Sequence, residues 1–325
     1  MIGRKTHNSA LPGSNSSPVT SSEVMQRLAE DYMKDRKWRR IFKVILLALF
    51  VVYVLSAIFT VSGNGNAVNA NQPHTAVIEL NGVISLAKGD VSADRMNASL
   101  RRAFNSKYSK GVVLRINSPG GSPVQSDEIN AEIGRLRDLY PDKPFHVVIS
   151  DICASGGYYI AAAADQIFAN PASIVGSIGV RMDGFGFVGA MEKLGVERRS
   201  LTAGTNKAIL DPFLPVQESQ RAHAQEMLGT VHQQFIDRVK AGRGERLSDD
   251  AELFSGLFWS GEQAKVLGLV DEFGTLDYVA REVIGHTTIV DYSFRPDFFQ
   301  QFAQDLGVSI GSRLTRVFVG PLELR

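Results

Sequence analysis

The chain contains 325 residues, of which 44% are hydrophobic and 21% charged, so it is long enough to bury a sizeable core and has the composition of a folded protein. Its formal net charge of +1 gives no overall reason to expect a nucleic-acid partner. The single cysteine, Cys153, excludes an intrachain disulfide and a zinc site built from cysteines.

The first feature in chain order is an uninterrupted apolar run at residues 44–61, which follows six basic residues and one acid at positions 34–43. As a helix the run would measure roughly 27 Å, about the thickness of the hydrocarbon core of a bilayer. Because basic residues mark the cytoplasmic end of a membrane span, we predict a cytoplasmic segment 1–43, an anchor 44–62 and an extracytoplasmic remainder. A cleaved signal peptide ending at "VNA", 68–70, is the alternative, but the long leader favours a retained anchor.

Residues 63–73 are rich in Asn and Gly and are interpreted as a flexible linker to one large domain, 74–325. Short runs rich in Val and Ile predict strands at Thr75–Leu80, Val112–Ile116, Phe145–Ile149 and Gln166–Ala169. Helical spacing of apolar residues occurs at Met96, Leu100 and Phe104, at Ile129, Ile133 and Leu136 after a start at Ser126, and at Leu228, Val231, Phe235 and Val239. Strands that alternate with helices imply parallel βαβ units, so the predicted fold class is α/β.

Two of the predicted strands run into paired glycines. Val112–Ile116 leads to Gly120-Gly121, and Phe145–Ile149 leads to Ser155-Gly156-Gly157. Glycine leaves backbone N–H groups free to face a ligand, and such amides suit a developing oxyanion. This pattern predicts Ser155 as a nucleophile, with oxyanion donors among these glycines. From the glycines alone, two ordinary tight turns at the ends of the strands are the simpler explanation.

A nucleophilic serine needs a base, and the histidines lack a suitable setting. None of the six lies in a glycine-rich or acid-paired stretch: His7, His74, His146, His223, His232 and His286. Lys207, in "LTAGTNKAILDPF", has apolar neighbours that could exclude water from it. An ordinary lysine has a pKa of about 10.4 and is only about 0.1% neutral near pH 7.4, so a lysine base must be desolvated. A solvated surface lysine is the alternative.

Three other patterns are weaker. "GFGFVG", with Gly184, Gly186 and Gly189, matches a dinucleotide fingerprint but does not leave a clear strand, so we interpret it as a surface turn and helix. Cys153 lacks a basic neighbour and is expected to be a small packed residue. No H-E-x-x-H spacing occurs, so a zinc protease is unsupported.

Several ordered motifs together resemble the bacterial Ser-Lys signal peptide peptidases (signal peptide peptidase A, protease IV). They are "VVLRINSPGGSPVQSDEI", "ASGGYYIAAAADQIFANPASIVGSIGV", "TAGTNKAILDPF" and "FSGLFWSGEQAKVLGLVDEFG". The resemblance covers roughly residues 74–285. One departure is Ser122, where many relatives have a third glycine, which alters the neighbouring pocket and leaves the amide donors intact.

This resemblance implies a role for each matching position. Ser155 is the nucleophile, Lys207 the general base and Ser177 the serine that orients the lysine. Gly121 supplies the oxyanion amide, with Gly156 as a second donor. The implied fold is a βαβ spiral similar to that of crotonase and ClpP proteins.

The resemblance also implies a membrane-anchored serine endopeptidase that degrades cleaved signal peptides at the bacterial cytoplasmic membrane, without a cofactor. Its N-terminus is expected in the cytoplasm and its catalytic domain outside. Short members form homo-oligomeric rings, with lysine and serine contributed by neighbouring protomers. Two rivals stay open: a crotonase-like acyl-CoA enzyme with the same oxyanion loops, and a catalytically silent membrane scaffold.

Overall fold

A computed structural model describes part of the chain, namely Met25 and residues 37–38, 41–54, 70–87 and 91–294. The contacts divide the chain into two units, 1–65 and 66–325.

In the first unit, residues 41–54 are helical. The rest of the predicted anchor, 55–62, lies outside the described residues, as does most of the predicted cytoplasmic segment 1–43. Within the part of the chain that the structure describes, no helix combines the length and the apolar character that a membrane crossing requires.

The second unit is built on a mostly parallel sheet, because strands rich in Val and Ile are joined through helices. Its described strands are β1 His74–Asn81, β2 Ser109–Ser118, β3 Phe145–Ala154, β4 Gln166–Ala169, β5 Ile174–Gly176, β6 Phe258–Ser260, β7 Glu272–Phe273 and β8 Ile289–Asp291. The order is β6-β5-β3-β2-β1-β8, and β4 pairs with both β3 and β7. The pairing of β5 with β6 is antiparallel. The α/β fold class is confirmed, while the closer likeness to a crotonase spiral stays a prediction.

The described helices of this unit are α1 Ala93–Asn105, α2 Pro123–Leu139, α3 Gly156–Ala161, α4 Val188–Leu194, α5 Glu218–Arg243, α6 Gly261–Val266 and α7 Leu276–Tyr278. A 3₁₀ turn, Gly244–Arg246, follows α5, and a π-helical turn, Val279–Val283, follows α7. Helix α2 begins three residues before the predicted start at Ser126, because Pro123 occupies its first turn and Ser122 caps it by accepting from the Gln125 amide.

Strand β3 changes its partner along its length, and this change places the loop that follows it. Residues His146–Val148 pair with β4, whereas Ile152–Ala154 pair with β5. A register shift between Ile116 and Ser118 of the neighbouring β2 accompanies the change. The end of β3 therefore lies between the ends of β2 and β5, and the loops after all three strands meet.

A buried ion pair joins α5 to the segment before β7. The Arg243 side chain is fully buried and donates to both Asp271 carboxylate oxygens, at 2.7 and 2.9 Å, and to the Gly268 carbonyl. Burial alone would raise the pKa of Asp271, but the hydrogen bonds and charge of Arg243 hold it below its usual value. Separating the two side chains would leave an uncompensated buried charge, which is costly. The pair therefore holds the end of α5 against the segment before β7.

Residues 180–217, hereafter the arm, differ from the other described residues of the unit, 74–87, 91–179 and 218–294, hereafter the body. No residue of the arm is buried, and helix α4 contributes none to the core. The arm's own contacts hold it together: the Phe187 and Phe213 rings stack at 5.3 Å, and the Phe187 amide donates to the Pro212 carbonyl. Arg198 bonds Asp211 at 3.1 Å.

Candidate active site

Ser155 lies in a strained turn between β3 and α3. Its backbone has φ 51° and ψ −124°, a region that residues with a Cβ rarely adopt. The amide of Ser155 donates to the Gly176 carbonyl of β5 at 2.9 Å, and its carbonyl accepts from the Tyr159 amide at 3.0 Å. These bonds hold the turn in place and leave the half-buried side chain at the junction of strand and helix.

The glycine loop after β2 packs directly on this serine. Gly120 has φ +98°, and a Cβ added there would lie 2.7 Å from both the Ser155 Cβ and the Gly156 nitrogen. Both the backbone conformation and the lack of space therefore require glycine at this position. The two glycine-containing strand ends of the sequence form one site.

The amide of Gly121 is turned away from Ile84 by the bonds of its neighbours. Ile84 donates to the Gly120 carbonyl at 2.9 Å and accepts from the Ser122 amide at 2.7 Å. In such a parallel bridge the N–H of the intervening residue points to the opposite side. A Cβ added at Gly156 would lie 3.2 Å from the Gly121 nitrogen, so this amide adjoins the residue that follows Ser155. A backbone amide placed in this way suits an oxyanion.

Ser177 lines the same cavity as Ser155. It also has a positive φ, 52°, and its amide donates to the Leu257 carbonyl at 2.7 Å. The described chain has one further non-glycine residue with positive φ, Leu210, three positions after Lys207. Strain of this kind persists only where surrounding structure enforces it, and it is concentrated at functional sites.

The cavity has a volume of about 1500 Å³ and combines apolar and charged walls. Its larger apolar lining residues are Val83, Val124, Tyr159, Val180, Val231, Phe235 and Phe258, and Val180 is the first residue of the arm. At one wall the Tyr159 hydroxyl donates to Asp127 at 2.7 Å, and Arg238 bonds the same carboxylate oxygen at 3.1 Å. Burial and the bond to Asp127 raise the pKa of Tyr159 to about 12, so this tyrosine is a neutral donor. A groove of this size accommodates an extended peptide better than a small ligand.

Lys207 lies in the arm and is exposed. Its amide donates to the Gly204 carbonyl at 3.1 Å, and its side chain is not among those that line the cavity. The apolar neighbours expected to exclude water from it, Ile209 and Leu210, are themselves 36% and 39% exposed. The single chain thus brings together Ser155, Ser177 and the glycine amides without Lys207, and the Ser-Lys dyad stays a prediction.

The other candidate side chains belong to the core. His146 is 5% exposed, packs edge-on against Phe168 and has a buried Nδ1 without a hydrogen-bond partner. Burial lowers the pKa of His146. Cys153 is fully buried, and burial raises the pKa of its thiol, so it is a packed residue and not a nucleophile.

Three residues of the site were missed by sequence reasoning: Ser118, Asp127 and Arg238. Ser118 stands directly before the glycine loop, and this position was the available signal. Asp127 and Arg238 are charged residues on helix faces, 111 positions apart, and nothing in their local pattern separates them from solvated charges.

Comparison with known proteins gives a match to one family and several similar proteins. The model of peptidase family S49 matches residues 137–288. A putative protease of Methanocaldococcus jannaschii is 34% identical over 217 residues, covering 65% of this chain and 69% of that protein. A putative signal peptide peptidase of Enterococcus faecium is 34% identical over 198 residues, which are 59% of this chain and 57% of that protein.

A further relative has a different name. A protein of Brucella abortus named as a Na⁺/H⁺ antiporter is 46% identical over 188 residues, 57% of this chain. The match covers 25% of that protein, so the chain spans only a quarter of its length.

Proposed function

The chain belongs to peptidase family S49, and we propose that it is a membrane-anchored serine endopeptidase in which Ser155 is the nucleophile and Lys207 the general base. The observation that carries this proposal is that the strained Ser155 turn packs against the Gly120-Gly121 loop. The packing is so close that a Cβ added to Gly120 would lie 2.7 Å from the Ser155 Cβ.

The proposed chemistry is acyl transfer. The Ser155 Oγ attacks the peptide carbonyl carbon while its proton passes to the uncharged Lys207 amine. The carbonyl oxygen becomes an oxyanion that accepts from the Gly121 and Gly156 amides. The lysine then gives the proton to the leaving amine, and water hydrolyses the acyl-enzyme with the same lysine as base.

The exposure of Lys207 supports a shared site. A lysine acts as a base only where its surroundings exclude water, and the arm of a single chain provides no such surroundings. Our proposal is therefore a homo-oligomeric ring in which the arm of one protomer brings Lys207 to Ser155 of the next. Ser177, which lines the cavity, would accept or donate to the incoming amine and orient it. A heterologous contact of this kind closes into a ring when its rotation permits.

Features of the first unit and of the cavity support a proposed substrate and location. The helical residues 41–54 expose large apolar side chains, among them Leu46 at 56% and Phe50 at 60%. We propose that 44–62 anchors the chain in the cytoplasmic membrane, with the N-terminus in the cytoplasm and the catalytic domain outside. An anchored peptidase with a partly apolar groove would encounter cleaved signal peptides at a high effective concentration.

The test uses the full chain in detergent and a fluorogenic unstructured peptide. We expect Ser155→Ala and Lys207→Ala each to lower kcat by at least about 10³-fold without loss of folding. Lys193→Ala, an exposed lysine of the same arm, is the matched control and should cleave at the wild-type rate. Normal turnover by Lys207→Ala would remove the proposed base.

Covalent labelling separates the peptidase from its rivals. An acylating serine-protease inhibitor should modify Ser155 of the wild type and leave Ser155→Ala unmodified. Labelling elsewhere, or none at all together with turnover of an acyl-CoA thioester, would favour the crotonase-like enzyme. A chain that binds peptide without labelling or cleavage would be a scaffold.

A further inference from the structure

Ser118 is a buried hydroxyl with two main-chain partners, both next to the glycine loop. Its Oγ donates to the Gly82 carbonyl at 2.7 Å and accepts from the Gly120 amide at 3.1 Å. The residue is 0% exposed and is the last residue of β2. Both the hydrogen and a lone pair of the hydroxyl are thus in use, and no water is needed to satisfy it.

These bonds complete a clamp on the loop. The chain after β1 already holds it from one side, since Ile84 bonds both the Gly120 carbonyl and the Ser122 amide. Ser118 links the start of the same segment, at Gly82, to the amide end of Gly120. The residue Gly120 is therefore held at its nitrogen by Ser118 and at its carbonyl oxygen by Ile84, and that carbonyl belongs to the same planar peptide group as the Gly121 N–H.

We propose that Ser118 is a positioning residue for catalysis, whose hydroxyl sets the direction of the Gly121 N–H toward the oxyanion. This inference rests on the proposed peptidase function, because it assigns a role within that site. Glycine at 120 and 121 gives the loop much conformational freedom, so an external tether is needed to keep the donor aimed. An oxyanion donor acts only when its direction is fixed before the charge develops.

The closeness of Ser118 to α3, the helix that follows Ser155, supports this role. A Cβ added at Gly157 would lie 3.2 Å from the Ser118 carbonyl oxygen and 3.4 Å from its Cβ. Ser118 thus contacts α3 as well as the glycine loop, and it does not line the cavity. It acts through the Gly121 amide and does not touch the substrate.

The experiment compares Ser118→Ala with Ser109→Ala in the full chain. Ser109 is the first residue of the same strand, is 3% exposed and donates to the Gly111 carbonyl, so it is a buried serine of matched environment at the opposite end of β2. Ser118→Ala should lower kcat about 10- to 100-fold with KM unchanged, whereas Ser109→Ala should leave both constants at wild-type values. If Ser118→Ala does not fold, Ser118→Cys replaces it, because the cysteine sulfur is a weak acceptor. Its kcat should lie between that of the wild type and the roughly 10- to 100-fold lower value expected for Ser118→Ala.

A transition-state mimic provides the readout that a purely structural role would not change. A peptide aldehyde forms a hemiacetal with Ser155 and places an oxygen in the oxyanion position. Its affinity should fall in Ser118→Ala by the same factor as kcat/KM. Binding of the uncleaved peptide to Ser155→Ala should be unaffected when Ser118→Ala is added.

The outcomes separate the two proposals. Equal kcat and equal aldehyde affinity in Ser118→Ala and Ser109→Ala, with Ser155→Ala inactive, would overturn the role of Ser118 and leave the peptidase intact. Full cleavage by Ser155→Ala would instead overturn the proposed function itself.

Discussion

The body around Ser155 and the arm that carries Lys207 are opposite in their packing. In the body, the loops after β2, β3 and β5 converge on one serine, and two of their glycines leave no room for a methyl group. In the arm, no residue is buried, and Phe185 is 82% and Leu201 102% exposed. The surroundings of Ser155 in the proposed site are therefore preformed in one chain. Lys207 lacks the water-excluding surroundings that a lysine base needs.

This difference indicates what assembly would contribute. A body that already fixes Ser155 and the proposed Gly121 and Gly156 amide donors needs no partner for oxyanion binding. A lysine that must lose its hydration does need a second surface, and apolar side chains on the arm would supply part of it. The proposed ring would use the exposed apolar arm as a contact between protomers.

The largest expected contrast between the body and the arm is in how a glycine-to-alanine substitution changes the free energy of unfolding. Gly121→Ala should destabilise the chain by about 2–4 kcal/mol, because it combines strain at positive φ with displacement of Ile84. A Cβ there would meet the Ile84 carbonyl oxygen at 2.1 Å. Gly189→Ala in α4 of the arm, where nothing lies within 4 Å, should stabilise the helix by up to about 1 kcal/mol. Urea unfolding measures both, and equal effects would contradict the comparison.

The pH dependence of stability should come from the body as well. Burial lowers the pKa of His146 below its ordinary value, while in the unfolded chain it takes up a proton near pH 6.5. The unfolded state therefore binds more protons as the pH falls below that value, and the free energy of unfolding decreases. The contribution of this histidine has a slope of up to about 1.4 kcal/mol per pH unit.

His146→Phe isolates this effect, since the ring packs on Phe168 and phenylalanine keeps an aromatic contact. Between pH 7 and pH 5 the variant should lose less stability than the wild type in urea unfolding. Parallel curves for the two proteins would show that His146 takes up its proton at the same pH in the folded and unfolded states, and would contradict the lowered pKa.

The smallest stability effect is expected in the arm. Phe213→Ala removes a ring that stacks on Phe187 and lies 5.7 Å from the Arg198 guanidinium, yet it should change the free energy of unfolding by no more than about 1 kcal/mol. Peptide cleavage should nevertheless fall, since these contacts hold the arm around the Lys207 turn. A large loss of stability with normal cleavage would assign Phe213 to the core instead.

The sequence predicted the parts of the fold whose signal is local. Strands β1 to β4 contain runs rich in Val and Ile, so all four were predicted, although the prediction ended β3 at Ile149 and the strand continues to Ala154. Strands β5 to β8 have two or three residues each and are defined by partners distant in the chain, as in the pairing of Val175 with Trp259. No periodicity can reveal an element that short.

The same limit applies to the site. Paired glycines after strands identified the Ser155 and Gly121 loops, because glycine is required where backbone approaches backbone. The clamp by Ser118 and the Asp127–Arg238 pair depends on contacts between distant elements, so it was not predictable from spacing. For Lys207, apolar neighbours in sequence suggested burial, but these side chains are themselves exposed in the single chain.

Co-expression of Ser155→Ala and Lys207→Ala tests the central claim most directly. If each site takes its serine from one protomer and its lysine from the next, random mixing at equal amounts leaves both residues intact in about a quarter of the sites. The purified mixture should then cleave peptide at about a quarter of the wild-type rate, although each variant alone is inactive. A mixture as inactive as its components, from rings shown to contain both chains, would contradict a site completed by the arm of a neighbour.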